Sequence, residues 1–148
     1  MYWADALKGT IEVLSIHTKK HSIVHHYTGD YHPNSIIVVP SEGEIFVALV
    51  SQIDSQINRV SMKGSSMDDS KFQLIRSGLG KGGNFYLAVD EKEKKLYWSD
   101  TKKKRIEFAF LNGTERKIFI QSERTPGPLT IVDNYLHWTS EGSKAMQW

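Results

Sequence analysis

Leu96-Tyr97-Trp98-Ser99-Asp100 decides how this chain is read, because the chain repeats it. Tyr2-Trp3-Ala4-Asp5 is a second copy. Ile45-Phe46-Val47-Ala48 and Leu136-His137-Trp138-Thr139 hold the matching place in two weaker ones. Trp3, Val47, Trp98 and Trp138 are spaced by roughly forty to fifty residues, the length of one propeller blade. Such a period predicts a series of similar small sheets and not one folded core.

The flanks repeat as well. Arg105-Ile106-Glu107-Phe108-Ala109-Phe110-Leu111-Asn112-Gly113 follows the third copy, and Gln56-Ile57-Asn58-Arg59-Val60-Ser61-Met62-Lys63-Gly64 follows the second. Gly9 to Ile16 and Ser143 to Trp148 stand in the same place after the first and fourth. Each reads as a strand, and two of them end in a glycine suited to a tight turn. Ahead of the signature, Pro33 leads into Ser35 to Val39, Asn84 into Tyr86 to Asp90, and Pro128 into Leu129 to Asp133.

These elements resemble the YWTD β-propeller of the low-density lipoprotein receptor family, whose pattern runs Pro-x-x-Leu-Ala-Val-Asp, Leu-Tyr-Trp-Thr-Asp, Ile-x-x-Ala-x-Leu-Asp-Gly. The likeness is close from Leu87 to Gly113, fair in the first and fourth units, and poor in the second. It implies an all-β, six-bladed propeller, of which this chain supplies an incomplete arc of about three and a half four-stranded blades. The units are 1–32 (part blade), 33–83, 84–127 and 128–148 (part blade). The missing blades of the same propeller are then the chain's first partners. An arc with open blade faces is not expected to be a stable monomer by itself.

Composition fits an all-β chain. Val, Ile, Tyr, Phe and Trp are spread along the sequence, and no long window keeps a helical apolar period. The net charge of +2 neither demands nor excludes an acidic partner. The absence of cysteine excludes disulfides and thiolate metal sites. No apolar run approaches a membrane span. The chain reads as a segment of a longer protein, so membrane attachment is expected only through parts outside it.

In the third unit the strands are expected at Phe85 to Asp90, Lys95 to Asp100, Arg105 to Leu111 and Lys117 to Gln121. In the second they are expected at Ser35 to Val39, Glu44 to Val50, Ile57 to Met62 and Phe72 to Arg76. A blade is covered on both sides, so Leu96 and Trp98 should bury on one face and Tyr97 on the other. Tyr2, Trp3, Asp5, Tyr97, Trp98, Asp100 and Trp138 are therefore a fold signature and not an active site. Each large ring would contribute roughly 2–3 kcal/mol by burial. Asp5 and Asp100 should accept backbone N–H bonds in the turns that follow.

With alternating strands, the turns between second and third strands share one end of the disc with the linkers between blades. The resemblance implies that protein ligands bind that end. Tyr31, His32, Lys81, Lys102, Lys103, Lys104 and Arg124 are its candidate contacts. The basic run Lys102 to Arg105 could meet acidic side chains or sulfated glycans. Nucleic acid is excluded as a partner, because no aromatic side chains interleave the lysines. Ser77 to Asn84 resembles a phosphate loop only superficially and reads as a flexible linker.

His17, His21, His25, His26 and His32 cluster in one partial blade. Neighbouring residues on a strand point to opposite faces, which argues against a metal site. The open readings are solvated side chains without a role, or a pH-sensitive contact made by His25, His26 and His32. Asn112-Gly113-Thr114 is both a hairpin turn and a glycosylation sequon. No catalytic set, cofactor or metal is expected. The inner strands Ile36 to Val39 and Tyr86 to Val89 are apolar, unlike those of calcium-dependent propeller lactonases.

The resemblance implies a ligand-binding propeller of a lipoprotein-receptor-like endocytic or signalling receptor. It would sit on the extracellular side of the plasma membrane or in endosomes. A sevenless-type receptor tyrosine kinase ectodomain and a secreted, nidogen-like matrix scaffold are the alternatives.

Overall fold

The computed structural model describes residues 1–64 and 73–141. Among them are thirteen strands and no α-helix. The first sheet joins β1 (Tyr2–Asp5), β2 (Thr10–Leu14) and β3 (His21–His26). The second joins β4 (His32–Val39), β5 (Glu44–Val50), β6 (Ser55–Ser61) and β7 (Gln73–Ile75). The third joins β8 (Phe85–Asp90), β9 (Lys95–Asp100), β10 (Arg105–Phe110) and β11 (Lys117–Gln121). The last pairs β12 (Pro126–Val132) with β13 (Tyr135–Ser140). Every sheet is an antiparallel meander in sequence order. The first strands β4, β8 and β12 touch their counterparts in the next sheet, so they line the inner side of the arc.

β8, β9 and β11 fall where the repeat places them, and β10 stops one residue short of Leu111. Other bounds differ, and β7 ends at Ile75, short of the expected Arg76. β4 reaches back to His32 and β12 to Pro126, because register shifts at Pro33/Ser35 and at Pro126/Leu129 leave Asn34, and Gly127 with Pro128, off the ladder and let pairing resume beyond them. β6 runs Ser55–Ser61, not Ile57 to Met62, because the β5–β6 hairpin carries one more residue on each strand than β9–β10. The expected strand residues Phe72 and Ser143 to Trp148 lie outside the described residues.

Three apolar layers hold the sheets together. Leu96 and Trp98 turn toward the second sheet, where they meet Val39, Phe46, Ala48 and Ile57. Tyr97 turns the other way and packs with Ile106, Leu129 and Trp138 against the fourth sheet. Val47, Ile45 and Leu49 face Ile11, Val24 and Tyr27 of the first. The alternation of β9 is thus apolar on both sides, as a strand between two sheets requires. Trp98 and Phe85 are 0% exposed, which stabilises by roughly 3 kcal/mol each. Tyr97 also joins Phe108 and Phe119 in an aromatic cluster, with centroids 5.5–6.3 Å apart.

A second pattern runs through the sheets. Trp98 lies opposite Glu107 on the neighbouring strand, and Trp3 lies opposite Glu12. In the second sheet the same place holds Val47 opposite Asn58. The buried indole N–H of Trp98 donates to Glu107 Oε2 at 3.0 Å. Valine has no donor, and there the carboxylate is absent too.

Candidate protein-binding face

One end of the arc gathers the turns Ala6–Gly9, Ser51–Asp54 and Thr101–Lys104 with the linkers that lead into β4, β8 and β12. Each turn is set by a side-chain acceptor at its start. Asp5 Oδ1 accepts the N–H groups of Leu7 and Lys8, and Asp100 Oδ1 accepts that of Lys103. Hydrogen bonds to Lys8 hold the Asp5 carboxyl below its ordinary value. In the second sheet Ser51 takes this part, its Oγ accepting from Ile53 and Asp54 N–H at 3.2 and 3.1 Å. The longer β5–β6 hairpin carries this turn outward, and Ile53 is 70% exposed. Leu7, on the neighbouring turn, is 99% exposed.

The linker 77–84 is not the free chain its glycines suggest. Asp100 Oδ2 accepts the N–H of Gly80 at 2.7 Å, and Ser55 Oγ donates to the Gly80 carbonyl. A Cβ at Gly80 would collide with the Asp100 carboxylate and with Lys102. On the other side, Lys103 Nζ, Arg105 and Arg116 all donate to the Gly78 carbonyl, at 2.6, 3.1 and 3.0 Å. Arg105 and Arg116 also pair with Glu107 at 2.7 and 2.8 Å, and Arg116 lies over the Trp98 ring. The linker is therefore clamped to the same buried carboxylate that receives the indole.

This clamp corrects the reading of the basic run. Lys103 is half-buried with its ammonium on Gly78, and Arg105 is held by Glu107, so both are engaged within the chain. Lys104 holds the turn in a left-handed conformation, φ 52°, with its side chain exposed. Lys102, Lys81 and Arg124 are exposed, and no ion pair among the described residues engages them.

Tyr31 and His32 stand between the first two sheets. The Tyr31 hydroxyl donates to Asp54 Oδ1 at 2.5 Å, and that carboxylate pushes the phenol pKa up to about 12. His32 Nδ1 lies 3.0 Å from the Ala6 carbonyl. Beside them opens a cavity of about 370 Å³, walled by Ala6, Asp30, Pro33, Val50, Gln52 and Ile53. His26 is exposed and shares a neighbouring depression with Leu7 and Tyr31. His25 is buried instead, edge-on to Tyr27 at 4.5 Å, so it cannot touch a partner directly.

The histidine that meets a carboxylate is one that sequence reasoning grouped but did not select. His21 Nε2 lies 2.6 Å from Glu12 Oε2 and stacks on Trp3 at 5.5 Å. Lys8 reaches Glu12 and Asp5 at 3.4 and 3.1 Å. The hydrogen bond from Thr10 comes first, then those from His21 and Lys8, in holding the Glu12 carboxyl below its ordinary 4.5 against the opposing effect of burial. The signal for Glu12 and Glu107 was present: both follow their tryptophan by nine residues.

The opposite end looks different. Lys94 pairs with Glu42, and Ser41 donates to Glu91, so turns of the second and third sheets are tied to each other. Asn112 lies at that end, exposed, its Oδ1 accepting from Thr114 N–H and Oγ–H at 3.1 and 2.6 Å. Gly113 has φ 85°, and a Cβ there would sit 2.9 Å from the Leu74 carbonyl, so the turn needs glycine twice over.

Comparison with known proteins agrees with this geometry. The chain is 27% identical over 148 residues to the vitellogenin receptor Yl of Drosophila melanogaster, covering all of this chain and 7% of that protein. It is 32% identical over 105 residues to low-density lipoprotein receptor-related protein 5 of Mus musculus (69% of this chain, 6% of that one). To mouse low-density lipoprotein receptor-related protein 4 it is 40% identical over 53 residues (36% of this chain, 3% of that one). The chain thus spans less than a tenth of the curated relatives it matches. In a crystal structure of a nidogen/laminin complex, one chain superposes with a TM-score of 0.75 at 21% identity, over 95% of this chain and 52% of that one. No protein-family model matches the chain.

Proposed function

We propose, from the premise that this chain is a segment of a YWTD β-propeller of the kind found in low-density lipoprotein receptors, that it is an extracellular module that binds a protein ligand. The ligand face is the end that carries Leu7, Ile53, Tyr31, His32, Lys81 and Lys102. One observation carries the reading: turn tips on this end present apolar and cationic side chains without partners, on a chain that aligns along its whole length with a vitellogenin receptor. The module is read as a binding part and not as a catalyst, in keeping with relatives that are receptors. Its parent is a membrane receptor that works at the cell surface and in endosomes. Among the described residues no helix is long and apolar enough to cross a membrane.

The test uses the intact protein expressed on cells, with labelled vitellogenin as the first probe. Uptake should fall at least tenfold in Ile53→Asp and stay unchanged in Lys92→Glu, at the opposite end. Loss in Lys92→Glu with full uptake in Ile53→Asp would place the ligand on the wrong end for this reading. The nidogen likeness favours a second reading, a matrix scaffold, which predicts retention of labelled laminin at the surface with no uptake.

Two subsidiary proposals follow. His26 and His32, exposed on this face, make ligand binding pH-dependent, and a curve unchanged between neutral and endosomal pH in wild type and in the His26→Ala/His32→Ala variant would exclude that. Asn112 carries an N-glycan, since its turn is exposed and lies away from the ligand face. Mass spectrometry of the protein recovered from the cell surface should find it, and Asn112→Gln should leave ligand uptake unaltered.

A further inference from the structure

The first and third sheets repeat each other residue for residue, at one constant offset along the chain. Trp3 faces Glu12 across β1 and β2 as Trp98 faces Glu107 across β9 and β10. The bulge that follows falls at Ile11/Glu12 in one and at Ile106/Glu107 in the other. Asp5, Lys8 and His21 therefore stand where Asp100, Lys103 and Arg116 stand, and Thr10 where Arg105 stands. His21 and Arg116 each lie against their tryptophan ring, at 5.5 Å.

In the third sheet these positions grip the linker of the blade before. Asp100 Oδ2 accepts the Gly80 N–H at 2.7 Å, and Lys103 and Arg116 donate to the Gly78 carbonyl at 2.6 and 3.0 Å. Arg116 donates at the same time to Glu107 Oε2 at 2.8 Å. In the first sheet the same groups bond one another. Lys8 Nζ lies 3.1 Å from Asp5 Oδ2 and 3.4 Å from Glu12 Oε1, and His21 Nε2 lies 2.6 Å from Glu12 Oε2. The set is the same except that an imidazole replaces one guanidinium and a hydroxyl the other.

The imidazole changes what a proton does. A guanidinium has donors for the carboxylate and for a linker carbonyl together, and it stays charged. A neutral imidazole has one N–H, and beside an ionised Glu12 that N–H is used on the carboxylate. Only the protonated ring offers a second, and imidazoles change charge between about pH 5 and 8. The charged groups around His21 are Glu12 on β2, with Lys8 and Asp5 from the turn between β1 and β2, while β1 presents the Trp3 ring. The Thr10 hydroxyl is the first of the hydrogen bonds that hold Glu12 below its ordinary 4.5, so this carboxylate is ionised across that range.

We infer that the first sheet clamps the glycine linker of the blade before it in the ring, and that His21 makes this seam tighten as pH falls from neutral to endosomal values. The linker carbonyl that answers to Gly78 receives the donor of this position only when the ring is protonated. The seam between the second and third sheets, held by Arg116, keeps one strength over the same range. Closure of the ring, not contact with a ligand, is what the proton controls.

Hydrogen exchange of the intact protein tests this, with protection factors taken against the intrinsic rate at about pH 7.5 and about pH 5.5. In the wild type, protection of β3 and of the linker docked on the first sheet should rise about tenfold on acidification, as one added charge-assisted hydrogen bond would give, while that of linker 77–84 stays within about twofold. His21→Arg should show the higher protection at both values. His21→Gln, which keeps an N–H for Glu12, should show the lower at both. Arg116→His should transfer the pH dependence to linker 77–84. A rise that persists in His21→Gln assigns the proton to another group and overturns the role of His21. Linker protection that neither His21 variant alters overturns the seam itself. An Arg116→His protein whose linker 77–84 loosens equally at both pH values overturns the switch, because the imidazole then fails in the one clamp whose occupant is known.

Discussion

The first and third sheets contain the same pair, a tryptophan opposite a glutamate, and use it differently. In the third sheet the pair is sandwiched against the second, with Trp98 0% and Glu107 3% exposed. Two guanidinium groups close over the carboxylate, and the same groups hold the linker of the blade before. In the first sheet the pair lies on a face that no sheet among the described residues covers. Trp3 is half-buried and stacks on His21, and the carboxylate of Glu12 is shared among Thr10, His21 and Lys8. The neighbouring sheet buries the indole alone, since both carboxylates are buried, Glu12 at 2% and Glu107 at 3% exposed. The partners differ as well: two guanidinium groups meet Glu107, whereas Glu12 is held first by the Thr10 hydroxyl and then by His21 and Lys8.

The contrast can be broken first by truncating the rings. Trp98→Ala should cost about 4 kcal/mol, from the void and from the lost donor to Glu107. Trp3→Ala should cost about 1 kcal/mol, since that ring is only partly removed from water. Urea denaturation of the intact propeller measures both, and equal losses would mean that coverage by a sheet is irrelevant. Next in size is Glu107→Gln, which keeps an acceptor for the indole but removes the charge facing Arg105 and Arg116. It should cost about 2–3 kcal/mol and raise proteolysis at the linker 77–84. A variant that unfolds at the wild-type urea concentration would show that the ion cluster is incidental.

Acid sharpens the comparison further. The folded pKa of Glu12 is depressed, so its stabilising share is present above the ordinary value of 4.5 and is lost as pH falls through the lower, folded value. Hydrogen-exchange protection factors in β1, β2 and β3, taken against the intrinsic rate at each pH, should therefore fall below about pH 4.5, and Glu12→Gln should remove that acid limb. An acid limb that survives the substitution would assign it to another carboxyl group. The smallest expected effect lies at the junction of the first two sheets. The Tyr31 phenol, pushed up to about 12 by Asp54, should titrate near the ordinary 10 in Asp54→Asn, as followed by ultraviolet absorbance.

Much of this could be read from the residues. The spacing of Trp3, Trp98 and Trp138 announced blades, and the alternation Leu96-Tyr97-Trp98 announced burial on both sides. Sequence reasoning failed where a side chain's partner lay far along the chain. Lys103 and Arg105 looked like surface charge because Gly78, their acceptor, sits about 25 residues away. The linker 77–84 looked flexible for the same reason, since Ser55, Asp100 and Arg116 hold it from two other sheets. His25 and His26 looked equivalent, although one is buried and the other exposed.

The sequence alone determined that the chain builds four-stranded meanders that stack, because period-two apolar patterning and turn residues act locally and repeat. Only the tertiary structure decided which charges remain free to meet a ligand. A charged group is satisfied by whatever the fold brings within about 3 Å, and no pattern along a strand records that distance.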